Sequence, residues 1–213
     1  MAALVVDGLW PWMVAGKRPS DNALWGFSGL REHLGMEGPA ERLKADRVEL
    51  RRWHESDLDA LDQAINESLD HLAAPWMPWA ANHGRRHTAG FLARCHEEWE
   101  ARQAFVYAVT SHATVIGSCG LHRRIGPGGL DLGYWIHPRW TGQRLATTAA
   151  AALVGQGFRL AGIDRIEIHH DAANTASAAV ALHLGFTEVE RIQAPEGPSA
   201  PGEVEADPPK GPP

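Results

Sequence analysis

The residues best placed to do chemistry lie in one turn, His137-Pro138-Arg139-Trp140-Thr141-Gly142-Gln143-Arg144-Leu145-Ala146-Thr147. A short aromatic run, Leu132-Gly133-Tyr134-Trp135-Ile136, leads into it, and an Ala-rich stretch follows. A helix that begins just after a small-residue turn leaves its first backbone N–H groups unpaired and points its positive dipole end outward. Such an end is a site for a phosphate or pyrophosphate. Arg144 would add a cation beside that anion. The structural alternatives are that Arg144 points to solvent or crowds the site.

Other candidate chemistry is weaker. His83-x-x-x-His87 has i, i+4 spacing, and His169-His170-Asp171 is a compact cluster among the 12 histidines. Neither brings further ligands at a recognisable spacing, so no metal site is expected. Cys95 and Cys119 sit in apolar contexts and read as buried, reduced thiols. Gly117-Ser118-Cys119-Gly120 lacks the form of a nucleophile elbow. The turn lacks the Lys and Ser/Thr of a P-loop and the Gly spacing of a dinucleotide fold.

The elements that must hold the turn follow from periodicity. Val48, Leu50 and Arg52 alternate with charges, as in a half-exposed strand beginning at Arg47. Ser56 is placed to cap a helix whose buried face is Leu58, Leu61, Ile65, Leu69 and Leu72. Pro75-Trp76-Met77-Pro78-Trp79 ends that pattern, and a second helix is expected over about Thr88 to Arg102. Three strands follow, at Ala104–Thr110, Thr114–Leu121 and Leu130–Ile136. Then come a helix over Leu145–Leu160, a strand over Arg165–His169, a helix over Ala176–Leu184 and a strand over Thr187–Ile192. The sum is an α/β fold, a largely antiparallel sheet followed by a β-α-β unit.

At 213 residues, with 44% hydrophobic and 22% charged residues, the chain suits one globular domain. The expected organisation is an N-terminal extension over residues 1–40, a domain over 41–194 and a Pro/Gly-rich acidic tail over 195–213. Met36 is a candidate native start, and an extension that packs on the domain is the other reading. The formal net charge of −6, with no long basic run, gives no sign of nucleic-acid binding. No apolar run reaches membrane-spanning length, so a cytoplasmic protein without a membrane partner is expected.

Gly133-Tyr134-Trp135-Ile136-His137-Pro138, Gly142-Gln143-Arg144-Leu145-Ala146-Thr147-Thr148-Ala149, Asn174-Thr175-Ala176-Ser177 and Leu184-Gly185-Phe186 stand in that order. Together they resemble the acetyl-CoA-binding core of the GNAT superfamily of N-acetyltransferases. The branch most similar includes the ribosomal-protein-serine/alanine N-acetyltransferases. The resemblance runs from about Arg47 to Arg191 by element order, and its motifs are specific only in the second half. The superfamily's Q/R-x-x-G-x-G/A signature is here Thr141-Gly142-Gln143-Arg144-Leu145-Ala146, with Thr141 where Gln or Arg is usual and Arg144 where the middle Gly is usual. Its usual catalytic Tyr, four residues before the closing Gly, is here Ala181.

The resemblance implies a GNAT-like sheet in which the parallel strands ending near Ile136 and beginning near Arg165 splay apart. The pantetheine arm of acetyl-CoA, a co-substrate, would enter that gap. Ile136, Thr141, Gly142, Gln143, Arg144, Leu145, Ala146, Thr147 and Asn174 would bind the cofactor. Ser177 would donate to the departing sulfur, or simply pack as a small residue. Asn174 would hold the pantetheine region, or act as a helix cap alone. Glu167 is the leading general base, Asp131 the second, and Tyr134 is a candidate lining of the acceptor pocket. Trp76 and Trp79 would form an apolar wall for the acceptor, or simply core.

The expected reaction is direct attack of a primary amine on the thioester in a ternary complex, with a protein N-terminal α-amine as acceptor. The alternatives are a small-molecule amine, such as an antibiotic or polyamine, and a non-catalytic acyl-CoA-binding protein. A mildly acidic surface suits a cationic acceptor, and equally serves solubility alone. Both monomer and homodimer remain open.

Overall fold

The computed structural model describes residues 12–17, 38–72, 80 and 83–191. In chain order the elements are β1 (Trp12–Lys17), β2 (Arg42–Ala45), β3 (Val48–Arg52), α1 (Leu58–Asn66), α2 (Leu69–Leu72) and α3 (Arg85–Glu100). They continue with β4 (Ala104–Ser111), β5 (Thr114–His122), β6 (Gly129–Ile136), α4 (Leu145–Gly157), β7 (Arg165–His169), α5 (Thr175–His183) and β8 (Thr187–Arg191). The strands form one eight-stranded sheet in the order β2-β3-β4-β5-β6-β7-β1-β8. Every pairing is antiparallel except β6 with β7.

The sheet centre is covered on both faces. Every residue of β4 and β6 is buried, which explains why Phe105-Val106-Tyr107-Ala108-Val109 reads as a continuous apolar run. Trp99 of α3 meets the rings of Phe105 and Tyr107 edge-on, with centroids 5.3 and 5.0 Å apart. α4 covers the face that carries Leu121, Leu130 and Ile166. A Cβ at Gly157 would stand 2.8 Å from Ile166 and within 3.4 Å of Leu130 and Leu121. Ala149 and Ala150 are fully buried in the same helix. The Ala/Gly composition lets the helix backbone approach β5, β6 and β7 closely.

Several boundaries differ from expectation. β2 is an edge strand whose alternating Arg42 and Lys44 hid it among charges; it joins β3 through a turn with Asp46 at φ 48°. The expected helix from Ser56 to Leu72 is broken. Ser68 Oγ donates to the Ala64 carbonyl at 2.6 Å, turning the chain between α1 and α2. Its N-terminus is organised by Asp57 rather than Ser56. Asp57 accepts the His54 backbone N–H at 2.9 Å and both arms of Arg51 at 2.7 Å. Burial opposes ionisation of Asp57, but Arg51 and the His54 N–H outweigh it and hold the carboxyl below its usual range.

β6 and β7 pair only at Gly129↔Arg165, Leu130↔Ile166 and Asp131↔Glu167. β6 stays with β5 as far as Gly117↔Ile136. β7 is paired on its other edge by β1, from Met13↔His169 to Lys17↔Arg165. A gap therefore opens between residues 132–136 and residues 168–169. The sequence reading sets residues 1–40 apart from the domain; in the structure Trp12–Lys17 of that stretch lies within the sheet, between β7 and β8. Pro75–Trp79 and the tail lie outside the described residues. No described helix is long and apolar enough to cross a membrane.

Candidate active site

The turn between β6 and α4 is built from its own polar groups. His137 Nδ1 accepts the Arg139 backbone N–H at 3.2 Å, so its other ring nitrogen carries the proton and faces Glu67 Oε2, also at 3.2 Å. Arg139 forms an ion pair with the same Glu67 oxygen. Glu67 follows α1 directly, so this contact fastens the turn to the α1–α2 junction. Thr141 Oγ1 donates to the Pro138 carbonyl at 2.9 Å. Arg47 reaches across from the β2–β3 turn to the Gln143 carbonyl at 2.9 Å.

Two left-handed residues bend the chain into α4. Gly142 has φ 72°. Arg144, the N-cap, has φ 59° and ψ 14° and makes no side-chain cap. Its carbonyl accepts Thr148 N at 2.9 Å, so α4 starts there, and the N–H groups of its first turn lie beyond intrahelical bonding. Gly142, Gln143 and Arg144 are exposed, Ala146 and Thr147 half-buried, and Leu145 buried as the anchor. The left-handed conformation explains why the superfamily pattern favours Gly at the position of Arg144. The arrangement offers an anion a row of backbone donors, a dipole end and an exposed cation.

Alternation along β6 puts Leu130, Leu132 and Tyr134 on the face that α4 covers, and Asp131, Gly133 and Trp135 on the other. α5 starts on the α4 face. Asn174 is fully buried there; its Oδ1 accepts Ser177 N at 2.9 Å, capping α5, while its Nδ2 has no partner. A buried amide with an idle donor, at the mouth of a strand gap, suits a ligand carbonyl. Ser177 is also fully buried, and its Oγ lies 3.0 Å from the Tyr134 hydroxyl. Tyr134 therefore packs beneath α5 rather than lining an acceptor pocket, and burial pushes its phenol well above the usual range. Ala181 is fully buried where the superfamily carries its Tyr.

The opposite face carries the carboxylates. Glu167 is buried, with Oε1 2.5 Å from Arg165 Nε and Oε2 2.9 Å from His169 Nε2. Asp131, beside it in register, is fully buried, paired with Arg124 at 2.6 Å, and has one idle oxygen. Burial pushes its carboxyl up, and Arg124 opposes the shift. His122 pairs in register with Asp131 from the β5 side. Burial lowers its imidazole to about 3, helped by Arg124, and its Nε2 has no partner. His122 escaped sequence reading because only cross-strand register brings it to this row. His170 turns instead to the Asp171 carbonyl at 2.9 Å, and His83 lies 3.2 Å from Asp62 on α1. Burial pushes the Cys95 thiol up to about 12 and the Cys119 thiol higher still.

A strand gap between β6 and β7, an open helix N-terminus at one end and a buried polar row on its far face describe an acyl-CoA-dependent transferase. The family described as "Acetyltransferase (GNAT) domain" matches residues 47–187. The chain belongs to the GNAT acetyltransferases, N-acetyltransferases whose acyl donor is acetyl-CoA.

Solved structures share the fold at low identity. The microcin C7 self-immunity acetyltransferase MccE, in complex with acetyl-CoA and AMP, is 20% identical, with a TM-score of 0.64 over 73% of this chain and 85% of that one. RimL, the ribosomal L7/L12 α-N-protein acetyltransferase, in complex with coenzyme A, is 23% identical, with a TM-score of 0.61 over 68% and 82%. Mycobacterium smegmatis RimJ, in complex with CoA-disulfide, is 21% identical, with a TM-score of 0.58 over 72% and 77%. A comparison with curated protein sequences finds no match.

Proposed function

We propose that this enzyme acetylates the α-amine of a protein N-terminus, by direct attack on acetyl-CoA in a ternary complex. The observation that carries the reading is the early end of β6–β7 pairing at Asp131↔Glu167, which frees backbone on both walls of a gap that leads to the α4 N-terminus. Strand edges left free in this way can pair with the amides of pantetheine. The pyrophosphate then lies on the N–H groups of Gly142 to Thr147, with Arg144 beside it. Ile136 borders the arm, and Asn174 Nδ2 donates to it. Ser177, oriented by Tyr134, donates to the sulfur as the C–S bond breaks. The buried row around Glu167 supplies the charge for removing the proton of the ammonium. The likeness to RimL and RimJ supports a protein N-terminus as acceptor.

A small-molecule amine is the second reading, favoured by the likeness to an antibiotic self-immunity acetyltransferase. The deciding experiment incubates the full chain with radiolabelled acetyl-CoA and three acceptors: a Ser-initiated peptide, the same peptide with a blocked N-terminus, and spermidine. Label on the free peptide alone supports the proposal. Label on spermidine alone overturns it in favour of the second reading.

A further inference from the structure

Glu167 cannot itself meet an acceptor, because both of its oxygens are engaged and its side chain is only 7% exposed. His169 can. It is two residues past the last β6–β7 pair, so it stands on the splayed part of β7 with no β6 neighbour. Alternation puts it on the Glu167 face, opposite α4 and α5. The cofactor arm, held from the α4 side, leaves that face as the approach for the acceptor. The His169 side chain is 20% exposed, so a proton arriving there can pass to water. Its tautomer is set by Glu167: an ionised carboxylate only accepts, so Nε2–H donates to Oε2 and Nδ1 keeps its lone pair. Arg165, also bonded to the Ile125 carbonyl at 2.9 Å, holds Glu167 in turn. The charged groups facing His169 are thus Glu167 and Arg165 on its own strand and, on the neighbouring elements, Asp131 with Arg124.

We propose that His169 is the catalytic base of this enzyme, taking the ammonium proton of the acceptor on Nδ1, and that Glu167 and Arg165 are its positioning residues. The proposal rests on the acetyl-transfer reading above. The acceptor arrives as an ammonium. One proton goes to His169 Nδ1 and from there to water. The freed lone pair forms the N–C bond, the C–S bond breaks with its electron pair on sulfur, and the second nitrogen proton ends on that sulfur. The products are the amide, the free thiol and one released proton. In this assignment the carboxylate favoured by the sequence acts through the imidazole.

His169→Gln tests it, because the Gln amide can still donate to Glu167 but cannot take a proton. With the Ser-initiated peptide, kcat/KM near neutral pH falls on the order of 100-fold. Acetyl-CoA Kd, read by calorimetry, is unchanged. The acid limb of the kcat/KM profile disappears, and the deficit shrinks as the amine deprotonates by itself at high pH. Glu167→Gln, which no longer fixes the tautomer of His169, lowers kcat while leaving acetyl-CoA Kd unchanged, and Glu167→Asp recovers part of the loss; a purely structural role would weaken acetyl-CoA binding as well. A His169→Gln enzyme within about threefold of wild type with the same limb overturns the proposal. So does loss of acetyl-CoA binding in that variant, because His169 then holds the fold rather than a proton. Failure of the wild-type protein to bind acetyl-CoA overturns the acetyl-transfer reading itself, and this assignment with it.

Discussion

Arg144 combines a strained backbone with an exposed charge at the N-terminus of α4, and on the proposed cofactor reading one substitution changes both in opposite directions. At φ 59° and ψ 14° its Cβ crowds the following carbonyl, at a cost of roughly 1–2 kcal/mol for an L residue. Arg144→Gly removes that strain. The freer unfolded chain of the Gly variant takes back roughly 0.4–1 kcal/mol. The net is a gain of about 0.5–1 kcal/mol, or about 2 °C in Tm for a domain of this size. Cofactor affinity moves the other way. Arg144 is exposed, so its pairing with a phosphate is worth no more than about 1 kcal/mol, a loss of up to about fivefold in Kd. Arg144→Ala separates the two effects, since it keeps a Cβ at positive φ and removes the charge. Its Tm stays at the wild-type value while its Kd weakens like that of the Gly variant. Scanning calorimetry of the free protein and titration with acetyl-CoA read both quantities. If the Gly and Ala variants melt alike, the strain argument is refuted. If both bind more tightly than wild type, Arg144 crowds the pyrophosphate instead of pairing with it.

Tyr134→Phe strips the hydroxyl 3.0 Å from Ser177 Oγ; the expected loss is about 1 kcal/mol of stability and several-fold in kcat, with acetyl-CoA Kd unchanged. Combining it with Ser177→Ala should cost no more kcat than Ser177→Ala alone, and additive losses would show that the two hydroxyls act separately. For His122, the folded imidazole titrates at about 3 against about 6.5 unfolded. Its stabilising contribution is complete above about pH 6.5 and is lost as pH falls, because only the unfolded chain takes the proton; by pH 5 the loss is about 2 kcal/mol. Urea unfolding at both pH values should show that difference in wild type and a flatter response in His122→Gln; equal slopes would contradict it. Removing residues 1–35 deletes β1, which pairs both β7 and β8. The shortened chain should melt at least several degrees lower, and an unchanged melt would show that β1 adds nothing to the fold.

Much of this architecture was legible because its signals are local. The Ala-rich period of α4, the aromatic strand before it and the small-residue turn between them lie within about thirty residues, and the structure places each within a residue or three of expectation. Asn174 was legible as a helix cap, since its contact with the Ser177 backbone N–H spans a single turn. Contacts across strands were not. Glu167 reads from its strand as a free carboxylate, yet its two oxygens are taken by neighbours at i−2 and i+2 on the same face. The alternation that predicts those neighbours on one face does not say that they bind each other rather than a ligand. Tyr134 was visible as an aromatic in the strand, but its partner lies 43 residues away on a helix whose docking no local pattern encodes.

The strand least visible in the sequence is the one that fixes the position of β7. Met13 and His169 are paired from opposite ends of the chain, and Trp12–Lys17 shows no alternation that a short window could find. β7 is tied to β6 by three residue pairs and to β1 by five. Past Glu167 the β6 edge gives nothing, because the gap requires that edge to be free. Among the described residues, Ile168 and His169 are therefore held laterally only from the β1 side, by Val14 and Met13. A splayed strand must be supported on its far edge if its side chains are to stay in register. The N-terminal segment, which carries no catalytic motif, thus sets where His169 stands relative to the gap.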